Sequence, residues 1–263
     1  MALASGSMFD LTGKNAVVTG SSKGIGRAIA EQLALHGANV VISSRKADAC
    51  QIVADEINEK LGADAPNRAI VVPAHIGEKD ALQRLVDQTR EQLGQIDVLV
   101  CNAAVNPYYG PSSDIPDTAF EKIMQCNVLS NHWLCHMVLP EMEARGDGSI
   151  IIVSSVGGLH ASTVIGTYNI SKAADFQMVR NLAAEYGPKG IRVNAIAPGL
   201  IRTDFARALW ENPKTLERVT ATVPLRRIGE PEELAGIAVF LASRAGSYAT
   251  GQNWIVDGGS TIV

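Results

Sequence analysis

The sequence NAVVTGSSKGIG, residues 15–26, decides the fold class of this chain. An apolar run of strand length leads into a turn containing Gly20, Gly24 and Gly26, and helical spacing of apolar residues begins at Ile25. Glycine permits positive φ and lets an anion approach backbone atoms that a Cβ would shield. The following helix offers free N–H groups and the positive end of its dipole. The stretch therefore predicts a phosphate-binding strand–turn–helix unit, although its Gly-x-x-x-Gly-x-Gly spacing differs from the Gly-x-Gly-x-x-Gly fingerprint.

The rest of the chain repeats this alternation of strand and helix. Helical patterns occupy residues 25–36, 47–61, 78–93, 117–144, 167–187 and 231–242. The strand candidates are mostly continuously apolar, as expected for parallel strands covered on both faces, and lie at residues 15–19, 38–42, 69–72, 97–101, 149–153, 191–196 and 253–256. The pattern predicts an α/β chain: a single domain with a doubly wound parallel sheet flanked by helices.

Bulk composition limits both the domain organisation and the partners. The 263 residues are 46% apolar and 19% charged with a net charge of −4, so no basic field would attract nucleic acid or anionic lipid. No apolar stretch approaches the length of a membrane span, and no signal peptide is evident. We expect a flexible tail over residues 1–8, one domain over 9–263, and a cytoplasmic protein without nucleic-acid or membrane partners.

The cysteine and histidine residues indicate no metal site. None of the cysteines has Cys-x-x-Cys spacing, and we interpret them as reduced, buried thiols: Cys50, Cys101, Cys126 and Cys135. His132 and His136 have the i,i+4 spacing of a helical metal site, but no carboxylate completes a zinc motif. Helix packing or a subunit contact explains this pair better, and no metal is predicted.

A second motif indicates the chemistry. Tyr168 and Lys172 are four residues apart and so lie on one helical face, with Ser155 thirteen positions upstream after a predicted strand. A Tyr-x-x-x-Lys pair alone usually marks a solvated helix face. Together with the serine and the glycine-rich turn, the pair instead predicts proton transfer coupled to hydride transfer at a carbonyl or alcohol carbon.

The motifs together resemble those of the short-chain dehydrogenase/reductases. The resemblance covers roughly residues 9–259 and rests on residues 19–26, Asn102-Ala103-Ala104, Asn127, Ser155, Tyr168, Lys172 and Pro198-Gly199. It implies a seven-stranded Rossmann sheet with cofactor and substrate sites in one domain. It also implies a homotetramer assembled through the helices near 117–144 and 167–187 and the C-terminal strand.

The end of the second strand bears on cofactor choice. An acidic residue there would bind the adenosine ribose of NAD, whereas this chain has neutral Ser43 and Ser44 followed by Arg45. A guanidinium makes paired hydrogen bonds to phosphate, and Lys23 adds a second charge, so NADP(H) is favoured over NAD(H). The alternative is that both are solvated surface charges.

The resemblance, with these charges, predicts the full cofactor site. Two positions depart from the family pattern: Ala104 replaces a glycine, and His75 stands where many relatives have aspartate, which leaves the Ile76 backbone for adenine. The predicted cofactor-binding residues are Gly20, Ser22, Lys23, Gly24, Ile25, Gly26, Ser44, Arg45, Ile76, Asn102, Ala103, Tyr168, Lys172, Pro198, Gly199, Ile201 and Thr203.

The predicted catalytic residues are Asn127, Ser155, Tyr168 and Lys172. Tyr168 exchanges a proton with the substrate oxygen, but an unperturbed tyrosine has a pKa near 10. An ammonium about 4 Å from the phenolate contributes roughly 4 kcal/mol, or ~3 pKa units, before desolvation opposes it. The resemblance implies that Lys172 also bonds the nicotinamide ribose, that Ser155 polarises the substrate oxygen, and that Asn127 supports a water-mediated proton relay to Lys172.

The substrate is a small carbonyl compound or alcohol. Residues 200–229 lack a strand and are predicted to form a substrate lid, and loops 105–109 and 156–166 border the pocket. Their side chains favour a ketone, aldehyde or dicarbonyl, and they include Tyr108, Tyr109, His160, Leu209 and Trp210. Residues 102–107 and 197–210 are similar to the carbonyl-reductase/NADP-retinol-dehydrogenase branch. The alternatives are a 3-oxoacyl reductase, a sugar or polyol dehydrogenase and, from a different class, a non-catalytic NADP sensor.

Overall fold

The computed structural model describes residues 7–263, so most of the predicted tail, residues 1–6, lies outside the described part. The strands form one parallel sheet with the order β3-β2-β1-β4-β5-β6-β7. They are β1 (Asn15–Thr19), β2 (Asn39–Ser43), β3 (Ala69–Val71), β4 (Val98–Cys101), β5 (Gly148–Val153), β6 (Ile191–Pro198) and β7 (Asn253–Val256). The predicted fold class and its seven strands are confirmed.

Helices cover both faces of this sheet. They are α1 (Gly24–Leu35), α2 (Ala47–Leu61), α3 (Lys79–Leu93), α4 (Asp117–Met124), α5 (Ser130–Arg145), α6 (Gly166–Tyr186), α7 (Arg207–Trp210), α8 (Pro213–Thr220) and α9 (Ala235–Ala242). Apolar side chains of α1, α2 and α9 form the core on one face, and those of α3, α5 and α6 form the core on the other. Neighbouring residues of a strand supply opposite cores, as Val17 and Val18 of β1 do.

The strand order reverses beside β1, which pairs with β2 on one side and β4 on the other. Crossovers from these two strands leave on opposite faces, and the loops at their carboxyl ends diverge to form a crevice. Because all strands are parallel, the segments that follow each strand meet at this one edge of the sheet. The fold therefore gathers the predicted site segments, although they are distant in sequence.

The long helix predicted over residues 117–144 is not a single regular helix. A π-helical turn, Gln125–Leu129, separates α4 from α5. A π turn inserts one residue relative to the α-helical repeat, and apolar spacing does not reveal such an insertion. The turn buries Asn127, and the Asn131 side chain donates to the freed backbone carbonyl of Asn127 at 2.7 Å. Similarly, the predicted helix 231–242 begins with a 3₁₀ turn, Pro231–Leu234, before α9.

The segment predicted as a lid leaves and re-enters the domain at one point. The backbone N–H of Arg202 donates to the Gly229 carbonyl at 2.9 Å, and the N–H of Gly229 donates to the Leu200 carbonyl at 3.0 Å. Between these ends lie a 3₁₀ turn, Asp204–Ala206, and the short helices α7 and α8. This excursion, residues 200–229, is thus a loop whose two ends are hydrogen-bonded to each other.

At the amino end, the structure shows a contact just inside the predicted tail. The N–H of Ala245 donates to the Met8 carbonyl at 3.0 Å.

All four cysteines are buried free thiols, as predicted.

Candidate active site

The turn after β1 packs closely against neighbouring backbone, which requires glycine at several of its positions. Gly20 and Gly24 have φ values of 66° and 58°, which disfavour residues with a Cβ. A Cβ on Gly26 would lie 2.5 Å from the Gly20 carbonyl oxygen and would collide with the Asn102 side-chain amide. The helix α1 begins within this turn, so its first N–H groups face the same space. This cradle fits a pyrophosphate group, which requires close approach to backbone donors.

Hydrogen bonds join this turn to the end of β4. The Asn102 side-chain amide donates to the carbonyls of Thr19 and Gly20 at 2.9 and 3.2 Å. The Thr19 hydroxyl oxygen accepts from the backbone N–H groups of Asn102 and Ala103 at 3.0 and 3.2 Å. The two strands at the switch point are therefore locked together at the place where a dinucleotide would cross them.

The predicted adenosine-binding residues line the neighbouring strand ends. Ser44 and the exposed Arg45 follow β2, and the Ala74 N–H donates to the Ser44 carbonyl at 3.1 Å, which brings the segment carrying Ile76 alongside. The Ser44 hydroxyl lies 3.1 Å from the Cys50 thiol. Arg45 therefore places a positive charge next to Ser43 and Ser44, the uncharged residues at the end of β2.

The segment after β6 reaches the glycine-rich turn from the other side. Pro198 ends β6, and the Gly199 N–H donates to the Val256 carbonyl at 3.0 Å. A Cβ on Gly24 would lie 3.2 Å from the Thr203 methyl group, so the two predicted cofactor segments meet. One residue further on, Asp204 accepts a hydrogen bond from the Lys23 ammonium at 2.9 Å. Hydrogen bonds from Lys23 and Arg207 hold the pKa of Asp204 below its ordinary value.

The predicted proton-transfer pair lies on α6, facing the end of β5. The Lys172 ammonium is 5.8 Å from the centroid of the Tyr168 ring. Lys172 is buried, with 2% of its surface exposed, while Tyr168 is half-buried. The Ser154 hydroxyl donates to the Lys172 carbonyl at 2.8 Å and so anchors α6 to β5.

Ser155 lies beside the first turn of the same helix. Its hydroxyl oxygen accepts from the Gly157 N–H at 3.0 Å, which leaves the hydroxyl hydrogen available to a ligand. A Cβ on Gly157 would lie 3.3 Å from that oxygen and 2.5 Å from the Asn169 amide oxygen. Since Asn169 follows Tyr168, the structure brings Ser155 close to the helical turn that carries the phenol.

The environment of Lys172 contains a carboxylate that the sequence analysis missed. The ammonium donates to the Val153 carbonyl at 3.0 Å and to Asp175 at 3.1 Å, and Asp175 is fully buried. Burial alone would lower the pKa of Lys172, but the charges of Asp175 and Tyr168 outweigh it, and the pKa lies above its ordinary value. Burial also raises the pKa of Asp175, against the opposing effects of Lys172 and Asn131.

Asn127 has its contacts on the loop after β4 and on α6. Its amide oxygen accepts from the Val105 N–H at 2.8 Å, and its amide nitrogen donates to the Val105 carbonyl at 3.0 Å and to the Ser171 hydroxyl at 3.1 Å. The side chain therefore positions the loop after β4 relative to α6. Its predicted relay to Lys172 stays a prediction.

The residues predicted to border the pocket lie in different environments, and one further residue lies against Tyr168. Phe205, which the sequence analysis missed, has its ring centroid 5.9 Å from that of Tyr168 and is 57% exposed. Trp210 instead donates its indole N–H to the Thr203 carbonyl at 2.9 Å and packs within the excursion. The Tyr108 hydroxyl bonds the Pro111 carbonyl, whereas Tyr109 and His160 are exposed. No periodic pattern in residues 200–210 could have singled out Phe205.

No group of three or more His, Cys, Asp or Glu side chains within residues 7–263 could hold a metal ion. No helix in the same range is both long and apolar enough to cross a membrane. The rings of His132 and His136 lie 4.1 Å apart on the exposed side of α5.

Comparison with known proteins identifies the class. A family model described as "Enoyl-(Acyl carrier protein) reductase" matches residues 20–261. Dehydrogenase/reductase SDR family member 4 of Bos taurus is 44% identical over 250 residues, which are 95% of this chain and 88% of that protein. The crystal structure of a gluconate 5-dehydrogenase from Burkholderia cenocepacia in complex with NADP and tartrate has a TM-score of 0.91 at 30% identity, covering 97% of this chain and 98% of that chain. A 7α-hydroxysteroid dehydrogenase complexed with NADH and 7-oxo glycochenodeoxycholic acid has a TM-score of 0.89 at 38% identity, covering 96% of both chains.

These proteins share an oxidoreductase scaffold with the chain described here. The chain belongs to the short-chain dehydrogenase/reductase family. The resemblance found in the sequence motifs is therefore confirmed over nearly the whole length.

Proposed function

We propose that this protein is an NADP(H)-dependent carbonyl reductase that acts on ketones and dicarbonyls and, in reverse, on secondary alcohols. The observation that carries the proposal is the placement of Tyr168 and Lys172 on one face of α6, with the ammonium 5.8 Å from the ring. The Ser155 hydroxyl, on the turn packed against the start of α6, and the glycine cradle after β1 belong to the same edge of the sheet. A non-catalytic sensor would not require this acid–base arrangement.

Each residue of the pair has a separate task in the proposed reaction. When bound, the cofactor supplies or accepts the hydride. Tyr168 donates a proton to the substrate oxygen during reduction and accepts it during oxidation. Lys172 stabilises the phenolate electrostatically, and Ser155 donates a hydrogen bond to the substrate oxygen as negative charge develops there. Asn127 holds the loop that begins after β4, which borders the substrate.

The preference for NADP(H) rests on the charge at the end of β2. Ser43 and Ser44 present no carboxylate to repel a 2′-phosphate, and the exposed Arg45 side chain follows them. Lys23 can contribute as well, although Asp204 neutralises part of its charge. Solved relatives contain NADP in two cases and NADH in a third, so the preference is argued from these residues.

Arg45→Ala is expected to raise the KM for NADPH about 10- to 100-fold, because a charge-assisted hydrogen bond to phosphate contributes roughly 1.5–3 kcal/mol. The KM for NADH should remain close to that of the parent protein. Steady-state kinetics with both cofactors measures the difference. Arg68→Ala is the matched control, since Arg68 is exposed immediately before β3, at the amino ends of the strands and away from the predicted cofactor site. Equal effects on both cofactors would contradict a phosphate contact.

The substrate class is tested by following NADPH oxidation with ketones, dicarbonyls, retinal, acyl thioesters and oxo-sugar acids, and then repeating the panel with NADH. We expect turnover with ketones and dicarbonyls, and faster turnover with NADPH. Preference for acyl thioesters would favour a 3-oxoacyl reductase, the activity closest to the family-model description. Preference for oxo-sugar acids would favour the sugar dehydrogenases named among the solved relatives. Cofactor binding without turnover anywhere in the panel would favour the sensor.

The proposed pocket lies between Tyr168 and the excursion over residues 200–229, which we propose acts as the substrate lid. Phe205 supports this assignment because it is an exposed aromatic side chain facing the phenol. An apolar ring at this position suits the carbon skeleton of a ketone better than a phosphorylated substrate.

We also propose that the protein assembles as a homotetramer. Strand β7 ends the sheet and carries Ile255, which is 44% exposed, while the Tyr248 side chain just before it is fully exposed. An uncovered edge strand with apolar side chains is a surface that a second copy can bury. Ile170 is a further exposed apolar residue on α6. The cytoplasmic location stays a prediction from the sequence.

A further inference from the structure

A buried carboxylate lies directly behind the proposed proton-transfer pair. Asp175 follows Lys172 by one helical turn on α6, has no exposed surface, and places a carboxylate oxygen 3.1 Å from the ammonium nitrogen. The proposed reaction assigns this group no task. A buried charge is costly unless it is paired, so its presence beside Lys172 calls for a physical role.

The carboxylate is held from two elements. Its second oxygen accepts from the Asn131 amide at 3.0 Å, and Asn131 belongs to α5. The same amide nitrogen donates to the Asn127 carbonyl at 2.7 Å, so both of its hydrogens are used. Asp175 is therefore fixed relative to the π turn as well as to α6.

This arrangement restricts the Lys172 ammonium. An ammonium has three N–H donors, and the contacts with the Val153 carbonyl and Asp175 use two of them. One donor remains for a ligand or for the Tyr168 side. The carboxylate thus sets both the direction of the ammonium and the net charge that Tyr168 experiences.

We propose that Asp175 is a positioning residue that fixes the Lys172 ammonium and sets the pH range over which Tyr168, supported by Lys172, exchanges a proton with the substrate. This inference rests on the proposed function, because it assigns Asp175 an effect on the proton-transfer pair. The carboxylate neither touches the substrate nor transfers the proton itself.

The other groups facing this cluster do not replace the carboxylate. On α6 they are Lys172 and Tyr168, and Asn131 on α5 is a neutral amide. Cys101 at the end of β4 and Cys135 on α5 present thiols to the same interior. The hydrogen bond with Cys135, together with burial, raises the pKa of Cys101 well above its ordinary value, so this thiol stays neutral. Asp175 is thus the permanent acidic partner of Lys172 within residues 7–263.

The sign of the effect follows from the charge. A nearby carboxylate repels the negative charge of a phenolate and attracts the positive charge of an ammonium, and the charge of Asp175 helps to raise the pKa of Lys172. Oxidation of an alcohol needs Tyr168 as phenolate and Lys172 as ammonium, which gives a bell-shaped dependence on pH. Replacing Asp175 by a neutral residue removes both the repulsion and the attraction. The whole bell should therefore move to lower pH.

Asp175→Asn tests the proposal, because asparagine keeps the shape and can still accept a hydrogen bond from Lys172 or Asn131. The pH dependence of kcat for alcohol oxidation should shift to lower pH on both limbs by roughly one unit, as a unit charge several ångströms away would produce. Phenolate absorbance of the cofactor complex, corrected with Tyr168→Phe, should rise at lower pH in the variant than in the parent protein, and this measurement does not require turnover. A folded Asp175→Asn protein in which both limbs and the phenolate titration are unmoved would overturn the proposal, even if its kcat or stability were reduced.

A second variant keeps the test decisive if Asp175→Asn does not fold. Asp175→Ser removes the same charge with a smaller side chain whose hydroxyl can still accept from Asn131 or Lys172, so the bell should move in the same direction by a similar amount. An unmoved bell in this variant would count against the proposal. Failure of the proposed function has a different signature: Tyr168→Phe would then retain turnover, whatever Asp175 does.

Discussion

Tyr168→Phe is expected to lower kcat by about 10²- to 10⁴-fold, the range typical of losing a positioned general acid or base. The phenol hydroxyl is the proposed proton donor, while the ring itself packs near Phe205 at a centroid distance of 5.9 Å. Phenylalanine keeps that ring and removes only the hydroxyl. Cofactor affinity, measured by fluorescence titration with NADPH, should therefore stay near the parent value while turnover is lost.

Tyr186→Phe provides the matched control, since Tyr186 is the last residue of the same helix and lies far from the substrate end. This variant should keep normal kinetics. Near-normal turnover of Tyr168→Phe would remove the phenol from the proton-transfer role, and the carbonyl-reductase mechanism would need another donor.

Lys172→Met is expected to abolish most turnover and also to destabilise the protein by about 3–5 kcal/mol, the cost of leaving one member of a buried ion pair without its partner. The carboxylate of Asp175, fully buried at 3.1 Å from the ammonium, is the group that would be left unpaired. Denaturant unfolding measures the free energy of unfolding, and steady-state kinetics measures the turnover.

The double variant Lys172→Met/Asp175→Asn separates these two effects. It has no uncompensated charge, and the new amide can still accept from Asn131, so most of the stability should return. Turnover should not return, because the phenolate lacks its electrostatic partner. Recovery of both would show that Lys172 serves stability alone, while an unchanged unfolding free energy in the single variant would show that the ion pair contributes nothing to it.

The fold could be predicted from sequence because parallel, doubly covered strands leave a simple pattern. Residues 150–153 are apolar throughout, and the structure extends the strand predicted over 149–153 by only one residue. The glycine-rich turn then identified β1, the first strand of the chain, as the strand that leads to the phosphate-binding turn. The break in the helix over residues 117–144 could not be predicted, because a π turn leaves apolar residues on both sides in acceptable helical positions.

The sequence predicted those residues of the site that belong to recognisable motifs. Ser155, Tyr168 and Lys172 lie at one edge of the sheet because parallel strands end there together. Asp175 lies on the same helical face as Lys172, three residues later, and this spacing is visible in the sequence. Whether such an aspartate meets water or the interior depends on α5 packing over it. The hydrogen bond from Asn131 in the folded protein shows that Asp175 faces the interior.

The excursion over residues 200–229 has a consequence for how this enzyme can diversify. Its two ends are bonded to each other through Leu200, Arg202 and Gly229, so the chain enters and leaves the excursion at neighbouring points. A cassette of different length or composition could replace residues 205–228, which follow the contacts of Thr203 and Asp204 with the glycine-rich turn, while the sheet keeps its register. Substrate selectivity can therefore change independently of the residues proposed to move the proton.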